Sequence, residues 1–148
     1  MTAPHDPDRD DRLANLEAPD AAAIATLAEA AREALPDPFR RGAAEVLIRV
    51  EEVADDATLD ALGIEDLYAL TGVYEGVALI ERGATPETGA LPATIRLFRR
   101  ALLDEWAARP GVTLGALVTH VIVHELAHHF GWSDDDIARI DRWWEESA

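Results

Sequence analysis

The chain has 148 residues, 49% of them hydrophobic, and a formal net charge of −16 at pH 7, dimensions that suit one domain with one core. All thirteen basic residues are arginines, and so acidic a balance excludes a nucleic-acid backbone or an anionic membrane as a general partner, because both would repel it. There is no cysteine, which excludes disulfides and thiolate chemistry and leaves nitrogen and oxygen as the only metal donors. Neither a signal-peptide core nor a run of transmembrane length is present, so a cytoplasmic protein is expected.

Residues 1–18 are rich in Asp, Arg and Pro and bury too little apolar surface to order themselves. They read as an acidic tail, in which His5 is a stray residue, ahead of one domain over 19–148. Asp20 is an N-cap candidate. Ile24, Leu27, Ala31 and Leu35 then recur at helical spacing, predicting a helix over 21–35 that Pro36 and Pro38 end. Val46, Leu47, Ile48 and Val50 predict a strand within 45–53. A short helical turn over 58–62 stops at Gly63. A second strand is expected within 70–80, where Gly72 and Gly76 allow a bend or the close approach of another segment. After a loop over 82–92, the alternation of Thr94, Ile95, Arg96, Leu97 and Phe98 predicts a third strand. Arg96, Arg99 and Arg100 read as solvated arginines flanking it. A helix over 101–108 is stopped by Pro110 and Gly111.

Thr113 is a good N-cap for the helix that follows. Leu114, Leu117, Val118, Val121, Ile122, Val123 and Leu126 lie nearly all round it, which predicts burial on every side. Gly131 ends it. Ser133 with Asp136 forms a capping box for a last helix, with Ile137, Ile140 and Trp144 inward.

The buried helix carries Val-His124-Glu125-Leu-Ala-His128-His129. Ionisable groups inside an apolar helix are costly unless something compensates them. Residues four apart lie about 40° apart round the axis, so the imidazoles of His124 and His128 can occupy two corners of a zinc tetrahedron. Glu125 is rotated by about 100°, too far to be a natural ligand but placed to act on a water as general base. A third ligand must come from elsewhere. Gly131 can turn the chain back, which brings Asp134 into that role. Its acidic neighbours Asp135 and Asp136 read as helix-start charges, and Glu145 or Glu146 is the alternative ligand. His120 reads as a hydrogen-bonded core histidine. His129 points away from the His124–His128 edge, to pack or to meet solvent.

Further blocks join this motif: Gly72-Val-Tyr-Glu-Gly76-Val-Ala-Leu, Glu81-Arg-Gly83, Leu91-Pro92, Leu97-Phe-Arg-Arg100 and Ala34-Leu-Pro36. Together with His124-Glu-Leu-Ala-His128-His129-Phe-Gly131-Trp-Ser-Asp134, they make residues 20–145 resemble the small bacterial zincin-like metallopeptidases, or minimal zincins. Ala93 departs from the acidic residue expected after Leu91-Pro92. Metzincins carry a histidine at the spacing of Asp134 and also need a methionine turn. The only methionine here is Met1, so the chain is not a regular metzincin. The resemblance implies an α+β minimal zincin fold with a small mixed sheet packed on the active-site helix. It also implies zinc held by His124, His128 and Asp134, with Glu125 as the base. The expected function is a zinc metallopeptidase whose substrate adds to a sheet edge, either at 72–79 or at 94–99. Tyr74 is the candidate second stabiliser of the oxyanion. A zinc-stabilised binding module with little hydrolysis is the alternative, and a zinc hydrolase of non-peptide amides is a third.

Overall fold

The computed structural model describes residues 18–76 and 92–131. Within them the order is α1 (Ala21–Glu33), α2 (Phe39–Ala43), β1 (Leu47–Glu51), α3 (Asp56–Leu62) and a 3-10 turn (Leu67–Ala69), then β2 (Gly72–Glu75), β3 (Thr94–Phe98), α4 (Arg99–Ala107) and α5 (Leu114–His129). This is a mixed α+β fold built on a small mixed sheet. Its strand order is β1-β3-β2, with β1 parallel to β3 and β2 antiparallel to it.

The expected elements lie close to where periodicity puts them. Asp20 caps α1 through the amide of Ala23, and Thr113 caps α5 through the amide of Ala116. Two further elements have no counterpart in the sequence reading. One is α2, whose five residues are too few to show a helical period. The other is the 3-10 turn, capped by Asp66 through the amide of Tyr68. The tail over 1–17, most of the loop over 82–92, the last helix with its Ser133 cap, and Asp134, Glu145 and Glu146 fall outside the described residues.

Alternation in β3 sorts its side chains onto two faces. Ile95 and Leu97, both fully buried, join Ile24, Leu117, Val118 and Ile122 in the main core, so α1 and α5 cover this face. Phe98 faces the other way, into a smaller cluster with Ala54, Leu59 and Ala101. Arg96 shares that second face and is not the solvated flanking residue expected. Its side chain is only 13% exposed. It donates to Glu51 of β1 at 2.6 Å, to Glu75 of β2 at 2.8 Å and to Thr58 of α3 at 2.8 Å. Paired carboxylates on both neighbouring strands compensate the charge and hold its pKa above the ordinary arginine value, the hydrogen bond to Glu51 being the largest cause.

Burial of α5 is not complete on every side. Thr119 is exposed and Val123 half-buried, whereas Leu117, Val118, Val121, Ile122 and Leu126 are buried. One strip of the helix is therefore less covered than its composition implies.

Gly72 sets how closely β2 approaches this helix. A Cβ there would meet Val121 Cγ1 at 2.9 Å and Leu97 Cδ2 at 3.2 Å, so the expected close approach is one of strand backbone onto buried side chains. Gly72→Ala is expected to destabilise the fold by about 1–3 kcal/mol through overpacking, measured by chemical denaturation. Unchanged stability would show that the helix and strand can separate without cost. Thr113→Ala is expected to cost about 1 kcal/mol by removing the cap of α5, with the midpoint of thermal unfolding as the readout.

Candidate metal centre

The last two turns of α5 carry the chemistry. Helical spacing puts the rings of His124 and His128 side by side, their centroids 5.4 Å apart and their planes at 77°. The carboxylate of Glu125 joins them. Donor atoms from His124, Glu125 and His128 all lie within 4.8 Å of one another, and each residue is half-buried. Glu125 thus comes closer to the imidazoles than its 100° offset on the helix suggests, because the side chain is long enough to reach back. Two imidazole nitrogens and a carboxylate oxygen, partly shielded from water, form a donor set that fits zinc. Among the described residues no other group of histidines and carboxylates is so arranged.

Beyond His128 the helix ends through the capping amide of Phe130, and Gly131 adopts a left-handed φ of 81°. The left-handed backbone expected at Gly131 is therefore present. Asp134 lies outside the described residues, so its place relative to His124 and His128 is not part of this geometry.

Two cavities meet at Glu125. The larger, about 610 Å³, is bordered by Glu125, His128 and Tyr74, with Ile64, Leu70 and Val73 on its apolar wall. The smaller, about 270 Å³, is bordered by Glu125, His124, His120, Thr71 and Arg109. Chain from Thr71 to Tyr74 consequently runs along the histidine cluster from one cavity to the other. Arg109 is paired with Glu105 at 2.6 Å.

His120 is not the core histidine that its sequence context suggests. It is half-buried at the smaller cavity, its ring 6.3 Å from that of His124. His129 packs inside: it is fully buried. Its Nδ1 lies 2.7 Å from the hydroxyl of Tyr74 and its Nε2 3.1 Å from the carbonyl of Gly42. No sequence signal links these residues, because Tyr74 and His129 are 55 positions apart and Gly42 belongs to the short helix that periodicity does not reveal.

A helix bearing His-Glu-x-x-His packed against a small mixed sheet is the arrangement of a metallopeptidase-type domain. Residues 43–144 match the profile of the zincin-like metallopeptidase family, and the chain belongs to that family. It is also similar to the solved structure of a conserved hypothetical protein from Thermus thermophilus, at 25% identity over 76% of this chain and 94% of that one, with a TM-score of 0.48. No curated protein matches it.

If the cluster is a metal centre, His128→Ala should abolish stoichiometric zinc binding measured by calorimetry. His120→Ala should leave the stoichiometry at the wild-type value. Equal loss in both variants would shift the centre toward the smaller cavity.

Proposed function

We propose that the protein is a zinc-dependent peptidase, with Glu125 as general base. The observation that supports this best is the joining of two features at one residue. Glu125 stands with both imidazoles in a single donor cluster and also borders both cavities. A group so placed can act on a substrate lying across the cluster, whereas a purely structural metal site is closed.

His124 and His128 are the proposed zinc ligands, with Asp134 as the third. Zinc in such a site supplies Lewis acidity toward a carbonyl oxygen. Glu125 takes the proton of the attacking water as the new C–O bond forms, then returns it to the amide nitrogen as the C–N bond breaks. The products are a carboxylic acid and an amine.

Topology narrows where a peptide would lie. β3 is paired on both sides, by β1 and by β2, so the strand over 94–98 has no edge to offer. Among the described residues β2 is an outer strand of the sheet, and its residues border the larger cavity beside Glu125 and His128. An extended peptide added to β2 would receive main-chain hydrogen bonds and pass over the base. The apolar wall formed by Ile64, Leu70 and Val73 suits an apolar side chain. Among the described residues no helix is long and apolar enough to cross a membrane, and a cytoplasmic location forms part of the same proposal.

Glu125→Gln keeps the shape of the side chain but cannot take a proton. It should retain zinc and the fold while cleavage of a general peptide library falls by at least about a hundredfold. A wild-type protein that binds zinc tightly but cuts no peptide would instead favour a zinc-stabilised binding module. Asp134→Ala should weaken zinc binding, and undiminished affinity would reject it as a ligand.

A further inference from the structure

His129 follows a proposed ligand directly, yet it faces away from the donor cluster, and the catalytic scheme does not use it. It is nonetheless a fully buried polar side chain, and its partners come from two other elements. Its Nε2 faces the Gly42 carbonyl at 3.1 Å and a carboxylate oxygen of Glu45 at 3.3 Å. Both are acceptors, so Nε2 must carry a hydrogen. In the neutral imidazole Nδ1 is then the acceptor, and the Tyr74 hydroxyl 2.7 Å away donates to it. With the ring neutral, the direction of both bonds follows from the chain's end at the carbonyl.

Tyr74 belongs to β2 and also lines the larger cavity with Glu125 and His128. Its hydroxyl lies close to Gly76, where an added Cβ would come within 3.0 Å of it.

We propose that His129 is a positioning residue. Through the Tyr74 hydroxyl on one side and the Gly42 carbonyl on the other, it fixes the height of β2 over Glu125 and His128. The proposal rests on the peptidase reading, in which substrate pairs with β2. β2 is four residues long and is held by β3, by the Arg96–Glu75 bridge near its end, and by this bond from the middle of the strand into the active-site helix. A strand free to sit at several heights must be ordered each time a peptide pairs with it, and that ordering lowers affinity. Tethering the track to the residue after His128 removes that freedom.

The test compares Tyr74→Phe, His129→Gln and His129→Leu in the full-length zinc-loaded protein. Nitrogen NMR of His129 should show Nε2 protonated and Nδ1 as a hydrogen-bonded acceptor, with the Nδ1 resonance moving in Tyr74→Phe. KM for a cleaved peptide should rise about tenfold or more in Tyr74→Phe, with a smaller change in kcat. Affinity for the same peptide in the Glu125→Gln background should fall in parallel. His129→Gln can still donate to Gly42 and accept from Tyr74, so it should keep a KM near wild type, whereas His129→Leu should not. Wild-type kinetics and an unmoved Nδ1 resonance in Tyr74→Phe would overturn the positioning role alone. A loss confined to kcat would overturn it in favour of direct action by Tyr74. If the wild type cuts no peptide, the peptidase reading falls and the positioning role falls with it.

Discussion

The contact on which the molecule depends is that between the backbone of β2 at Gly72 and the side chain of Val121 on α5. At this point the sheet and the helix approach so closely that a single methyl group would not fit between them. Val121 is buried one turn before Glu125, and Gly72 leads by two residues to Tyr74. Closeness at one point therefore sets the separation of the cluster from the strand beside it. A looser contact would leave the histidines on the helix but widen the cleft above them.

Around that contact the fold divides its labour between two faces of the sheet. On one, apolar side chains of β3 pack against α1 and α5, which gives the site helix a rigid bed. On the other, Arg96 ties β1, β2 and α3 together through ion pairs and a hydrogen bond. A guanidinium serves better than an ammonium here, because its planar fork can meet several acceptors at once. β2 is consequently held from both sides. Arg96 grips its far end, and the hydroxyl of Tyr74 reaches into the helix beneath.

Consecutive histidines on α5 illustrate how a helix separates roles by rotation. His128 and His129 differ by about 100° round the axis. That angle puts one imidazole in the half-buried donor cluster and the other in the interior, where it is fully satisfied by Tyr74 and Gly42. Neither environment suits the other ring. The interior offers a hydroxyl and a carbonyl, whereas the cluster offers a second imidazole and a carboxylate.

Local spacing alone determined a good deal about this chain. The four-residue interval between His124 and His128 dictates that their rings meet, because an α-helix permits nothing else. Thr113 and Gly131 mark the ends of that helix through capping and left-handed backbone, both properties of single residues. A β-branched apolar run located β1, and alternation located β3. Tertiary structure decided what depends on distant partners. It made β3 central and, among the described residues, left β2 at the edge, a choice between two candidate strands that pairing resolves and composition does not. It turned Arg96 from a solvated charge into an interior bridge, and moved His120 from the expected core to a cavity wall. It also joined His129 to Tyr74 across 55 positions. No periodicity encodes that bond, since it exists only where a strand, a short helix and the end of a long helix converge.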